Sequence, residues 1–489
     1  MLSRAHTFKI DGLDARPVTV EVDVRDGLPS TTFVGIGDQC AREIRERVRC
    51  AILNSNYRYP TGRVTVNIAP ANLRALAAGI EFPIALAVLA ASGQLDAQAL
   101  TGVGAYGALS LSGELRSLPG TIAVAEDCQR AGITRLLVPG DCAPAAATAQ
   151  GPQVLAVYDL VHAVESLSGK MPVTPAHAPL RVPRLNREPM PDLADVRGNR
   201  QAILALQVAA AGGHHLLLEG PAGSGKTMLA RRLPGVMAPL SDAQTREVHR
   251  VYSVAGLGMP ASQRPFRAPH HSISLTGLLG GGSPARPGEA TLANHGVLYL
   301  DELEELQRGA LDALRGPLAD GQVTLTRGER ALRFPTRFTL LAGLSIADDR
   351  VSQIRQRRRV GALLDRFDLR VHTRPADPED LAGPPLTDTA TVRARVIAAR
   401  ERQTQREQAV ENRELPAVAL EARLSPSARH ALAHALQAGE LTPRAGVGVL
   451  RVAQTLHDLY ERGASLLEGP LLIEAMVLAG AVARAPITS

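Results

Sequence analysis

The 489-residue chain has only three lysines, Lys9, Lys170 and Lys226, although Lys and Arg together number 54. It has no tryptophan, only 3% aromatic residues, and four cysteines (Cys40, Cys50, Cys128 and Cys142) with no CxxC pair. That cysteine set excludes a disulfide scaffold or a sequence-evident zinc site and points to reduced core thiols. No apolar run reaches the roughly 18 residues that would span a bilayer, which excludes a membrane partner of that kind. The start, MLSRAHTFKIDGLDARPVTVEVDV, has neither an apolar core nor a small-residue cleavage site, so the expected location is cytoplasmic. A net charge of +6 biases the chain mildly towards polyanions, although an arginine-rich genome gives much the same bias. With so few aromatic rings, tracking phosphates suits the chain better than stacking on bases.

What is present divides the chain. Its length exceeds what one core organises, so two or three domains are expected. In RPVTVEVDV, Val18, Val20, Val22 and Val24 alternate as a half-buried strand does. AREIRERVRCAILN places Ile44, Val48 and Ile52 at four-residue spacing, which predicts an amphipathic helix with a basic outer face. GRVTVNIAP reads as another strand and PIALAVLAASGQL as a buried helix, giving a mixed α and β unit. A proline-rich linker follows over residues 171–191. Beyond it a helix, an apolar strand (His215 to Leu218), a glycine loop and a helix form a βα unit of a parallel sheet. A low-order stretch from Arg374 to Asp388 separates that unit from a tail with helical periodicity, Thr391 to about Ala483.

The glycine loop explains the one late lysine. Gly220-Pro221-Ala222-Gly223-Ser224-Gly225-Lys226-Thr227 fits G-x-x-x-x-G-K-[ST]. Its glycines let backbone N–H groups wrap phosphate oxygens, and the following helix offers its positive end. A compact ammonium on a flexible stem follows the β- and γ-phosphates where a planar guanidinium does not fit. Magnesium needs a carboxylate at a neighbouring strand end, and GVLYLDELEEL supplies one: an apolar strand Val297 to Leu300, then Asp301 and Glu302. Thr227 and Asp301 are the metal-side candidates, and Glu302 is the candidate for orienting and deprotonating an attacking water. ATP and Mg2+ are therefore the expected ligands.

RPFRAPHHSIS (Arg264 to Ser274), PGEATLANHGVLYLDELEEL and LRGPLADGQVTLTR resemble the magnesium-chelatase-like AAA+ ATPases of the ComM/YifB competence family. The resemblance extends to VTVNIAP, LSGELR and VLRVAQTLHDL, so it covers essentially the whole chain. It implies an α/β protein with three parts: an N-terminal Lon-protease-like (ribosomal S5 domain 2-like) α+β domain over 1–170, a P-loop AAA+ core over 192–385, and a helical lid over 386–489. It also implies a hexameric homo-oligomeric ring that hydrolyses ATP to drive DNA branch migration. LLDRFDL then places Arg366 as an arginine finger towards a neighbouring subunit, and LTPR places Arg444 as a sensor arginine on the lid.

The chain departs from the family at several points. Where members carry an asparagine in an NPCPCG-like segment, this chain has Ser345 and none of the cysteines, so slower hydrolysis is expected. In the first domain AAGIEFPIALAV offers Glu81 and no lysine, which argues against a Ser–Lys peptidase and for a noncatalytic role. The family's K-x-G-G-type turn is replaced by RALAAG. DGQVTLTRGERALRFP reads as a β-hairpin whose tip arginines, Arg327 and Arg330, meet the DNA phosphate backbone without reading sequence, or else stay solvated. Arg355, Arg357, Arg358 and Arg359 form a second basic cluster. The pairs His270-His271 and His214-His215 read as hydrogen-bonding residues rather than metal ligands. A nucleotide-dependent scaffold with weak turnover and a metal-inserting chelatase motor are the alternative functions.

Overall fold

A computed structural model describes residues 1–70, 79–171, 173–178, 190–258, 264–327, 330–346, 349–408, 410–460 and 466–481. Most of RALAAG, the two residues at the hairpin tip and much of the proline-rich stretch therefore lie outside the described residues.

The first unit is a seven-stranded mixed sheet in the order Ser30–Val34, Arg63–Ala69, Asp14–Arg25, Leu2–Asp11, Val103–Ala105, Arg135–Pro139 and Gln153–Val157. The alternation in RPVTVEVDV has its expected result: Val18, Val20 and Val22 are buried, while Thr19 and Glu21 between them keep partial access. Against those valines packs the helix Glu81–Ala91, every residue of which is buried, and beside it Asp38–Asn54 presents Ile44, Val48 and Ile52. Glu81, at the start of the buried helix, is not left unpaired. Arg47 Nη1 donates to its Oε1 at 3.0 Å and the Gly79 N–H to its Oε2 at 3.0 Å.

The second unit is built on a five-stranded sheet, all parallel, in the order Phe266–Arg267, Val297–Leu300, Thr339–Ser345, Leu216–Gly220 and Leu369–His372. Apolar runs such as LLL and VLYL suit strands buried on both faces. The glycine-loop strand begins one residue later than the apolar run suggested and ends two later, at Gly220. One face packs on Arg200–Gly212 and on the tail helices Thr389–Gln405, Pro443–Leu459 and Gly469–Leu478, in a single cluster running from Leu193 to Leu478. The other face packs on Arg308–Ala313 and Arg350–Leu364.

The helix Asp242–Ala255 joins the two units. Its start is fixed by a reciprocal capping box between Ser241 and Gln244. Its far end reaches the first unit, where Val254 enters the apolar cluster and Ser253 O accepts from the Gly120 N–H at 2.7 Å. Arg250 donates to Glu126 (2.6 Å), Asp14 (3.0 Å), Asp127 (3.3 Å) and the Leu13 carbonyl (2.9 Å).

Candidate functional site

Strand polarity sets the site. In a parallel sheet every strand ends on the same side, so the loop after Gly220, the Asp301–Glu302 turn and Ser345 all emerge together. Register makes this concrete: Gly220 lies opposite Ser345 and Leu300 opposite Ala342. Gly223 and Gly225 adopt φ of 75° and 86°, left-handed values that strain any side chain. Gly220 is required for a second reason, since a Cβ there would sit 2.3 Å from Thr373 Oγ1 and 2.4 Å from the Thr373 carbonyl oxygen.

Lys226, the first residue of the helix Lys226–Ala230, is buried and folds back on its own loop. Its Nζ donates to the Gly220 and Pro221 carbonyls at 2.8 and 2.9 Å. Burial draws its pKa below the ordinary lysine value, and the charges of Asp301, Glu304 and Glu302 pull the other way. Thr227 Oγ1 donates to Asp301 Oδ2 at 2.8 Å, which places a hydroxyl and a carboxylate, both hard oxygen donors, side by side. That pair fits a magnesium ion. The sequence-predicted Lys226, Thr227, Asp301, Glu302 and Ser345 therefore come together at one end of the sheet.

Glu302 has φ of 48°, an unusual left-handed conformation for a non-glycine residue, of a kind that costs about 1–3 kcal/mol and clusters at functional sites. Its Oε2 lies 3.0 Å from His271 Nδ1. His270 instead meets Ser272 Oγ at 2.8 Å. The histidine pair therefore makes hydrogen bonds, one of them to the candidate water-orienting carboxylate.

Several site residues had escaped sequence reasoning. Tyr299, almost wholly buried, donates from its hydroxyl to Thr227 Oγ1 at 3.4 Å. Asn199, at φ of 53°, braces the loop by donating to the carbonyls of Ser224 (3.4 Å) and Arg374 (2.8 Å). Glu304 is 93% buried: one oxygen accepts the Ser345 N–H at 3.2 Å and the other has no hydrogen-bond partner. Burial raises its pKa. The only available signal for Glu304 was the density of carboxylates in DELEEL, which reads equally well as a solvated turn.

Arg366 and Arg444 lie elsewhere. Arg366 precedes the strand Leu369–His372 and Arg444 sits in the first turn of Pro443–Leu459, and both line one cavity of about 840 Å³. His215, just before the glycine-loop strand, lines the same cavity, which therefore opens at the opposite end of the sheet from Lys226. His214 Nδ1 is 3.1 Å from Asp368 and its Nε2 2.8 Å from Thr455, while His215 Nδ1 accepts the Leu340 N–H at 3.0 Å.

The hairpin forms as read, Gln322–Arg327 against Arg330–Pro335. It does not project freely, because Leu332 and Phe334 pack with Leu13 and lie against Gly12 of the first unit. Arg330 reaches Asp11 at 3.3 Å, a carboxylate that Arg16 also holds at 3.0 Å. The Arg327 side chain lies outside the described residues. In the second basic cluster Arg355 and Arg358 are exposed, Arg359 donates to the Glu305 and Leu306 carbonyls, and the Arg357 side chain lies outside the described residues.

The arginines of RPFRAPHH are internal. Arg264 donates to the Ala238 and His295 carbonyls at 2.7 and 2.6 Å, and Arg267 grips Glu289 bidentately at 2.6 and 2.7 Å.

A five-stranded parallel sheet with a phosphate-type loop and an acidic strand end defines a P-loop protein of mixed α/β fold, consistent with an AAA+ type, magnesium-chelatase-like arrangement. Residues 192–381 match the family described as magnesium chelatase, subunit ChlI, residues 20–141 match subunit ChlI of Mg-chelatase, and residues 387–476 match its C-terminal part. YifB of Escherichia coli is 39% identical over 424 residues, 83% of this chain and 83% of that protein. Competence protein ComM of Haemophilus influenzae is 36% identical over 487 residues, 95% of each chain. The magnesium-chelatase 67 kDa subunit of Heliobacterium mobile is 28% identical over 183 residues, 30% of this chain and 27% of that protein. The chain belongs to the magnesium-chelatase-like family that includes YifB and ComM. No helix among the described residues is long and apolar enough to cross a membrane.

Proposed function

We propose that this chain is an ATP-hydrolysing ring motor that acts on branched DNA, as in branch migration during recombination or natural transformation. The observation that carries the ATPase part is the convergence of Lys226, Thr227, Asp301 and Glu302 on one sheet end. The loop Gly220 to Gly225 cradles the phosphates, and Lys226 leaves its two carbonyls for the β- and γ-phosphates. Thr227 and Asp301 hold magnesium, which neutralises charge on the transferring phosphoryl group when bound. Glu302 leaves His271 to orient the attacking water, and Ser345 stands in the sensor position. Arg366 and Arg444, at the opposite sheet end, act on the nucleotide of a neighbouring copy, which makes the ring, in our reading a hexamer, part of the site.

Residues 1–170 form a noncatalytic Lon-like domain, 171–191 a linker, 192–385 the AAA+ core and 386–489 the lid. The DNA part rests on the similarity to a competence protein and on the exposed arginines Arg330, Arg355 and Arg358. A cytoplasmic location goes with that role. A nucleotide-dependent scaffold with weak turnover is the second reading. It is favoured by Ser345, a shorter hydrogen-bonding side chain where the family carries a sensor asparagine. Metal insertion has the least support, since the Heliobacterium mobile chelatase subunit is similar over 30% of the chain and the competence protein over 95%.

Phosphate release measured with and without forked DNA separates the readings. The motor predicts DNA-stimulated release that Lys226→Ala abolishes; equal and negligible rates in both samples favour the scaffold.

A further inference from the structure

The cavity at the far end of the sheet is lined by arginines together with the carboxylates of Asp365, Asp368, Glu414 and Glu440. Several arginines on its wall are engaged within the chain: Arg370 donates to the Leu364 carbonyl, Arg451 to the Leu415 carbonyl, and Arg413 to His215. Arg366 and Arg444 are different, because among the described residues neither side chain makes a hydrogen bond or an ion pair. Arg444 also stands in the first turn of a 17-residue helix, where the helix dipole disfavours a cation and favours an anion.

A third arginine shares these properties. Arg315 opens the helix Arg315–Asp320, whose Leu318 and Ala319 line the same cavity. Residues three and four apart share a helix face, so Arg315 lies on the same face as Leu318 and Ala319, next to the cavity rather than in its lining. It is exposed and, among the described residues, has no hydrogen-bond or ion-pair partner. After burial, Arg444 and then Arg315 are the main influences lowering the Arg366 pKa, while Asp365 and Asp320 oppose them more weakly. Three guanidinium groups without a direct ion pair repel one another, the carboxylates of Asp365 and Asp320 offset only part of that repulsion, and an anion with several oxygens relieves the rest.

That anion is not this chain's own nucleotide. The strand Leu216–Gly220 separates the cavity from the glycine loop by about 13 Å at ~3.3 Å per residue, farther than a guanidinium on its stem reaches. We propose that Arg315 is a third guanidinium, alongside Arg366 and Arg444, that contacts the β- and γ-phosphates of a nucleotide held in the glycine loop of a neighbouring copy. This inference rests on the reading of Arg366 and Arg444 given above and adds a residue to it.

Subunit mixing tests the inference with the full-length chain. Arg315→Ala, Arg366→Ala and Lys226→Ala are each compared with the unmodified chain for phosphate release. Fluorescent ATP analogue binding, nucleotide-dependent assembly and thermal unfolding are followed in parallel. Arg315→Ala is expected to lower turnover about 10- to 100-fold, the range for losing hydrogen bonds to a charged group, with its unfolding midpoint and its own analogue binding unchanged. Arg315→Lys is not expected to restore turnover, because an ammonium lacks the bidentate fork.

Mixed in equal amounts, Arg315→Ala and Lys226→Ala chains should regain activity, since roughly a quarter of the interfaces in a head-to-tail ring then pair an intact loop with an intact arginine. Recovery with the Arg366→Ala and Lys226→Ala mixture but not with Arg315→Ala overturns the role of Arg315 and leaves the shared site standing. No recovery in either mixture overturns the shared site and this inference with it. Full activity of Arg315→Ala alone, or a lowered unfolding midpoint with lost analogue binding, assigns Arg315 a dispensable or a merely structural part.

Discussion

Arg250 holds the two units together, and its loss should be measurable residue by residue. Its side chain is 19% exposed and its guanidinium meets three carboxylates, of which Asp127 is the most deeply buried, with a side chain only 3% exposed. Arg250→Ala leaves Asp127 with Arg130 at 3.1 Å as its remaining cation, and one Asp127 oxygen has no hydrogen-bond partner already. Breaking a buried pair by removing one partner costs about 3–5 kcal/mol, and the surviving Arg130 contact argues for the lower end, about 3 kcal/mol. At 1.4 kcal/mol per factor of ten, this raises the population in which the units part by about two orders of magnitude. The amides of Gly120 and Ile122 report on it directly, since they donate to Ser253 O at 2.7 Å and Ser253 Oγ at 3.2 Å across the junction. Hydrogen exchange by mass spectrometry should show protection at these amides falling about 100-fold while Val66 and Ile68, buried in the strand Arg63–Ala69 and paired on both sides, hold theirs. Unchanged exchange at Gly120, or an equal loss throughout the first unit, would refute the assignment of Arg250 as a junction residue.

Three further outcomes are expected. Lys226→Arg should lose ATP-analogue affinity by about tenfold or more, nearly as Lys226→Ala does, because the pocket of two carbonyls takes a compact ammonium and not a planar fork; tight binding by Lys226→Arg in calorimetry contradicts this. Glu304→Gln should raise stability at neutral pH and change little near pH 4. The raised pKa of Glu304 means its favourable contribution is present below the unfolded value and lost as pH rises through the folded one, so denaturant midpoints at the two pH values check the sign. Burial alone would raise the Glu411 carboxyl, but Arg400, Arg413 and Arg264 outweigh it and hold the pKa at about 2. Its stabilising effect is therefore complete above pH 4.5 and fades as pH falls towards 2; with its side chain 41% exposed, the part lost is about 1 kcal/mol after solvent screening. Acid titration of Glu411→Gln should show a flatter decline over that window.

The local features of this chain were written in its sequence because they depend on short-range sterics and periodicity. The valine alternation, the four-residue apolar spacing of Ile44, Val48 and Ile52, the glycines that free the loop at Gly223 and Gly225, and the apolar run into Asp301 each need only their neighbours to be read. The register of a parallel sheet then brought Thr227 to Asp301 and Gly220 to Ser345. Other features depended on contacts between residues far apart in the chain, and nothing local announces them. Glu304 looks like any turn carboxylate until the Ser345 strand closes over it, and nothing local in the hairpin announces that Leu332 and Phe334 pack on the Gly12–Leu13 turn. The arginines Arg315, Arg366 and Arg444 are three among many in the sequence. Only the packing of a short helix, a strand start and a lid helix around one cavity, at the end of the sheet away from Lys226, makes them a group, because charge repulsion depends on distance through space.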